Sequence, residues 1–326
     1  MSDELIQTLD FISKQFNRYL ATIIFLFGVI GNILNCLVLS QRRLRLNPCA
    51  TLFLISSFID LISIVVGLTT RILAGWNLDP TTSISWICKI RTFITFSTRT
   101  LAIWIIMLAA VDRWLLSSMD FHRRQLSSLK NIKLGIIFSF IVSILSYIHM
   151  LYCYDANRID GPLKCYGKSE ACRFSTDLIY SIITILIPSI IMIVFGILIV
   201  SNVHYLRIRT HGMTITSIIL PLNARVYKLK KTDHQLLRML LVQAFLLTIF
   251  CIPQAIQKFY ITFRPFNTIS KTEDAIVLFL YNIEVLLAFI ASGMPFYLYT
   301  LTGGTVFRKA SRDLMRKMHR SMKCSS

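Results

Sequence analysis

Charged side chains are scarce in this sequence. Only 16% of its 326 residues are Asp, Glu, Lys or Arg, against ~25% in an ordinary soluble domain. Hydrophobic residues make up 55% and mean hydropathy is +0.63. Much of the apolar surface must therefore face a medium other than water, and lipid fits. Acids are scarcer still, which leaves a net charge of +19. The basic residues lie in short clusters between apolar runs and not on one soluble face, so no nucleic-acid partner is expected. A basic n-region is also lacking. Residues 1–10 hold Asp3, Glu4 and Asp10 without a Lys or Arg, which excludes an ordinary secretory signal. The first apolar run is expected to act as both targeting signal and first span. No Asn-x-Ser/Thr acceptor occurs. The histidines His122, His149, His204, His211, His234 and His319 are scattered, so neither a metal site, a cofactor nor an enzyme is expected. Internal repeats and paired broken helices, the marks of a secondary transporter, are missing too.

What is present is a series of apolar runs near the ~20 residues that cross a bilayer. Runs 19–41, 134–154, 178–206 and 239–257 carry no charge. Three others do: 51–73 with Asp60 and Arg71, 90–116 with Arg91, Arg99, Asp112 and Arg113, and 275–301 with Glu284. A charge at mid-membrane costs at least ~2.5 kcal/mol on insertion scales and survives mostly where it lines an interior or a watery site. The interrupted runs are therefore the informative ones.

Orientation follows from the loops. One set holds Arg42, Arg43 and Arg45; Arg113, Arg123, Arg124, Lys130 and Lys133; Arg207, Arg209, Arg225, Lys228, Lys230 and Lys231. The tail adds seven more basic residues, and the acids on this side are only Asp112, Asp120, Asp233 and Asp313. The opposite set nearly balances its basic residues with acids. The first side is expected to be cytoplasmic. The expected fold is an all-α membrane protein, a seven-transmembrane helix bundle plus a C-terminal amphipathic helix. Residues 1–18 form an extracellular N-terminus, 19–301 the bundle and 302–326 a cytoplasmic tail. In that tail Phe307, Leu314, Met315 and Met318 lie near one face, with Arg308, Lys309, Arg312, Arg316, Lys317, Arg320 and Lys323 around the other, which suits a helix on the inner leaflet. Cys324 is a candidate for palmitoylation or a plain thiol. Cys36 and Cys251 sit in apolar runs as small core residues, whereas Cys88, Cys153, Cys165 and Cys172 fall where disulfides persist.

Single-residue spacing says more. Cys88 opens the third span and Asp112-Arg113-Trp114 closes it; the 25 residues from Cys88 to Arg113 rise ~37 Å as a helix. This resembles the rhodopsin-like (class A) G-protein-coupled receptor family, whose third helix runs from a disulfide cysteine to Asp-Arg-Tyr. Gly31-Asn32, Asp60, Pro188, Pro253, Pro295 with Tyr297 and Tyr299, and Phe307-Arg308 resemble further family positions in order. Trp114, Met294 before the last proline and Cys251 in the sixth helix depart from the pattern, as does the fourth span, with Phe140 near the place of its usual Trp. The chain thus resembles a divergent member, and either Tyr297 or Tyr299 fills the switch position.

The resemblance implies a plasma-membrane receptor that binds an extracellular ligand and activates a heterotrimeric G protein. Arg113 would pair with Asp233 at rest, and outward movement of the sixth helix would free it. Cys88 would pair with Cys165, which leaves Cys153 and Cys172 either bridged or free. Asp60 resembles a sodium-site acid, or serves as a hydrogen-bonding centre with Asn32 or Ser292. Arg99 and Glu284 would lie in the ligand cavity, either neutralising each other or contacting a polar ligand with Arg91, Thr95, Gln254 and Lys258. Thr95 stands where amine receptors keep an Asp, and Ala288 where opsins keep a Lys, which disfavours both ligand classes. The polar segment 155–176 suits a cap over a peptide. A neuropeptide-like ligand is the first expectation and a small acidic or other non-amine ligand the second.

Overall fold

The computed structural model of this chain describes residues 2–45, 47–158, 164–216, 231–263, 270–304, 307–314 and 316. Seven helices are long and apolar enough to cross a membrane. They are α1 (Asp3–Leu39), α2 (Pro48–Gly75), α3 (Ser85–Ser117), α4 (Leu129–Cys153), α5 (Glu170–Tyr205), α6 (Asp233–Phe263) and α7 (Lys271–Gly293). A short helix, α8 (Pro295–Thr302), follows.

Local chemistry sets the helix starts. Asn47 caps α2 by accepting from Cys49 N–H at 3.1 Å, with Pro48 behind it in the first turn. Pro48 loses nothing there, because that N–H has no helical partner. Ser128, Ser169 and Ser270 cap α4, α5 and α7 in the same manner. Pro188 sits inside α5 after a π-helical turn, Tyr180–Leu186. In π geometry the carbonyl of Ile183 would take the N–H of residue 188, which a proline lacks. The Trp104 indole N–H on α3 donates to it instead, at 2.9 Å.

Two helix ends are not marked by the apolar runs. Residues 2–15 are helical, so the segment read as an N-terminus continues α1 to 37 residues. A helix of that length runs ~55 Å, well past a ~30 Å hydrocarbon layer. Arg18 ties it down, donating to the Gly75 carbonyl at 2.8 Å and lying 4.4 Å over the Trp76 ring. The last run is interrupted only at Met294, which keeps helical dihedrals and its bonds to Ile290 and Leu298, and Pro295 opens the segment beyond it.

α3 is central, with buried residues from Cys88 to Ser117 and packing against α2, α4, α5 and α6. The bundle's outer surface is apolar. Ile23, Phe27 and Ile30 on α1, Leu134, Ile137 and Ile141 on α4, and Ile190, Ile193 and Ile197 on α5 all point outward. Their three- and four-residue spacing is a lipid-facing stripe. α1 and α7 meet backbone to backbone, since a Cβ on Gly293 would lie 3.1 Å from the Gly28 Cα; small residues permit such approach. In the tail, residues 307–314 are helical, with Phe307 buried against Phe296 and Tyr299. Met318, Lys317, Arg320, Lys323 and Cys324 lie outside the described residues, as do Arg225, Lys228 and Lys230 of the basic run. The side chains of Met315, Arg207, Arg209 and Lys231 are likewise not described.

Candidate functional site

Charged residues gather at both ends of α3. At the lower end Arg113, only 3% exposed, reaches Asp112 at 2.7 Å and Asp233 at the start of α6 at 3.1 Å. Asp112 also accepts from Ser127 Oγ at 2.6 Å. Asn47 Nδ2 donates to Asp233 at 3.0 Å, and Asn47 Oδ1 accepts from Arg113 at 3.5 Å. One side chain thus caps α2 and braces the α3–α6 pair. The Arg113–Asp233 pair was expected from sequence; Asn47 and Ser127 were not. The Asn-Pro start of α2 was a visible signal, but it indicates a cap and not what the cap's other atoms meet. The Trp114 ring packs edge-on against Phe195, with centroids 4.9 Å apart, and Arg123 lies over it. Buried charge pairs of this kind add little net stability, because desolvation offsets their attraction. They make good two-state elements.

Midway along the bundle, Asp60 accepts hydrogen bonds from Ser56 (3.3 Å) and Ser292. Asn32 donates to the Ser292 carbonyl at 3.1 Å and to the Gly28 carbonyl at 2.9 Å. Asn32 and Asp60 therefore belong to one polar core. The two candidate tyrosines part here. Tyr299 is buried, donates to Gln243 on α6 and stacks on Phe53 at 4.9 Å. Tyr297 turns outward, its hydroxyl on the Phe27 carbonyl at 3.1 Å. Only Tyr299, four residues beyond Pro295, couples α8 to α6.

At the upper end a small cavity is lined by Arg71, Arg91, Thr95, Arg99 and Gln254, together with aromatic side chains. Four expected ligand residues thus come together. Arg71 joins them, although sequence reading treated it only as a charge in a span. Lys258 and Glu284 do not line this cavity. Lys258 is held by Asp177 at 2.6 Å, both side chains buried, in a bridge that ties α5 to α6. Arg99 and Glu284 do not form the reciprocal pair considered from sequence. Arg99 lies 5.5 Å over the Phe289 ring, and Glu284 keeps a buried carboxylate oxygen without a hydrogen-bond partner. Nothing in the sequence pairs Asp177 with Lys258 across 81 residues.

Disulfides hold the roof. Cys88 is bridged to Cys165 and Cys153 to Cys172, with Cα separations of 5.8 and 5.5 Å. Between them run antiparallel strands β1 (Tyr154–Asp155) and β2 (Tyr166–Gly167), in which Asp155 faces Tyr166. The Ser85 hydroxyl at the start of α3 donates to Asp155, which holds that carboxyl below its ordinary range; Ala156 N–H and Lys168 add to the effect.

Seven spans with one arginine locked to two acids at the base of the third define a receptor-type bundle. The chain matches the seven-transmembrane receptor (rhodopsin family) model over residues 31–321 and belongs to that family. It is a receptor and not an enzyme. It is also 25% identical over 158 residues to the neuromedin U receptor homolog nmur-2 of Caenorhabditis elegans. That match covers 48% of this chain and 39% of the relative, so it spans less than half of either.

Proposed function

We propose that this chain is a plasma-membrane receptor for an extracellular peptide and that it activates a heterotrimeric G protein. In this reading the Cys88 end faces outward and the Arg113 end faces the cytoplasm, with the tail along the inner leaflet. The observation that carries it is the Arg113–Asp233 pair, which joins α3 to α6 at 3.1 Å in a buried setting. Ligand binding favours outward movement of α6, which opens this pair and presents Arg113 to the G protein. Tyr299, bonded to Gln243 on α6, belongs to the same switch. A strand-and-disulfide roof suits a peptide cap, and the named relative is a neuromedin U receptor homolog. Arginines in the upper cavity favour an acidic non-amine ligand as the second reading.

The test is a neuropeptide library applied to cells co-expressing the chain and a promiscuous Gα subunit, with nucleotide exchange as readout. At least one peptide is expected to stimulate exchange, and Arg113→Ala to abolish the response at equal surface expression. Absence of any stimulation with the chain at the surface would count against the transducing role.

A further inference from the structure

The upper cavity has an unusual charge balance. Arg71, Arg91 and Arg99 all line it, and among the described residues no acid does. Their donors are only partly used. Arg71 donates to Asn282 Oδ1 at 2.6 Å and Arg91 to the Gly67 carbonyl at 3.3 Å, both neutral acceptors. The Nε of each has no hydrogen-bond partner, although it is buried. Arg99 is 5% exposed, and both its Nε and one terminal nitrogen are unpartnered. The Thr95 hydroxyl between them is buried and unpartnered as well.

The neighbouring acids lie outside the cavity wall, with Asp60 acting on Arg99 and Asp79 on Arg71 and Arg91 only as more distant charges. Asp79 accepts from the Thr81 backbone and hydroxyl at 2.9 and 2.8 Å. Asp177 is bound to Lys258. Glu284 lies outside the cavity wall. Asp60 lies below, beside a second, smaller cavity that shares Arg99 as a wall. It already accepts from Ser56 and Ser292.

Buried guanidinium groups with unused N–H donors are costly, and their forks match a carboxylate in a bidentate geometry. Three like charges also repel a cationic ligand. The remaining wall is apolar and aromatic, with Phe96, Tyr281, Val285 and Phe289 among its side chains. We infer that this cavity is an anion site whose occupant is a carboxylate carried on an aromatic or apolar body. The carboxylate sits among Arg71, Arg91 and Arg99, which are the specificity-determining residues, with the apolar body on Phe96 and Phe289. Its source is either the free C-terminus or acidic side chain of a peptide, or a small organic acid. This deepens the receptor reading by fixing the ligand's charge, and it rests on the Cys88 end being the ligand side.

The purified full-length chain in detergent gives a test independent of any G protein. Its melting temperature is measured with 3-phenylpropionate and with 3-phenylpropanamide at matched concentration and ionic strength. The carboxylate is expected to raise it by a few degrees and the amide to leave it unchanged, because a ligand stabilises only the state it binds. Arg91→Gln and Arg99→Gln should each weaken the carboxylate about 10- to 100-fold, the effect of losing one charged hydrogen-bond donor. Arg99→Lys should keep part of the response. If Arg99→Gln fails to fold, its own melting curve reports that, and Arg91→Gln at the cavity wall still decides. Equal shifts by acid and amide, no shift by either, or a carboxylate shift unchanged in both Gln variants would each overturn the site.

The peptide library, made in free-acid and C-terminal amide forms, separates the sources. Higher potency of the free acids assigns the carboxylate to a peptide terminus. Equal potency with the phenylpropionate shift intact assigns it to a side chain or a small acid. Carboxylate-selective stabilisation without nucleotide exchange would sink the transducing role and leave the anion site standing.

Discussion

Arginine occupies both ends of α3, in opposite states. At the lower end Arg113 is satisfied within the chain by Asp112, Asp233 and Asn47. At the upper end Arg71, Arg91 and Arg99 share a cavity with no acid among the described residues of its wall. A charge neutralised internally records a state of the protein, and it changes partners when the helices move. A charge left with unused donors depends for its balance on something from outside. In the proposed reading the same residue type serves a switch at one end and recognition at the other, and the difference lies in what the neighbouring helices supply.

The largest expected effect comes from removing the roof over the unpaired end. Cys165→Ser opens a loop closed across 77 residues, and chain-entropy reasoning puts the loss at about 4–5 kcal/mol. Surface expression measured by antibody binding to intact cells should fall steeply; an unchanged level would mean the bridge is dispensable. Next, Asp177→Ala turns a paired upper charge into an unpaired one by stranding Lys258 in a buried site. Breaking such a pair costs about 3–5 kcal/mol, whereas replacing both partners with apolar residues is near neutral. Thermal melts should therefore show Asp177→Ala well below the double variant Asp177→Ala/Lys258→Met. Melts that coincide would show that the bridge is not what the site requires.

A smaller effect is expected at the lower end. Asp233→Asn removes one charged partner of Arg113, a change of about 1–2 kcal/mol or roughly 5- to 30-fold in the open-to-closed balance. Basal nucleotide exchange should rise at equal surface expression; a flat basal level would remove this pair from the switch. Tyr299→Phe should then cost about 1 kcal/mol through the lost Gln243 bond, and Tyr297→Phe less. Melting curves that reversed this order would make Tyr297 the inward tyrosine. The smallest effect concerns Asp155. Its folded-state pKa is lowered by Ser85, so its contribution is present above the ordinary carboxylate pKa of ~3.9 and is lost as pH falls through the lowered value. Amide exchange of Asp155 and Tyr166 should quicken only on that acid side, and Ser85→Ala should move the onset upward.

Most of the bundle was legible in the sequence, because a lipid-spanning helix must be apolar over a set length and the charge bias of its loops has a fixed sense. The Arg113–Asp233 contact was legible through resemblance. The interruption at Met294 was not, since hydropathy is blind to a proline within an apolar run. Nor was the pairing of Lys258 with Asp177, or the exclusion of Glu284 from the cavity. These depend on helix rotation, and one residue of register turns a side chain by ~100°. Arg71 was visible as an interrupting charge, yet only the packing of α2 against α3 and α7 places it beside Arg91.

The contact of Gly28 with Gly293 carries a mechanical consequence. With α1 and α7 touching at their backbones, the upper part of α7 cannot tilt independently of α1. Just beyond Gly293, Pro295 opens α8 without an N–H to tie it back. Beyond Pro295 the Tyr297 hydroxyl donates to the Phe27 carbonyl, so both parts of the seventh crossing are pinned to α1. Tyr299 lies on the part beyond Pro295, so the grip on α6 is anchored, through that segment, on the first helix.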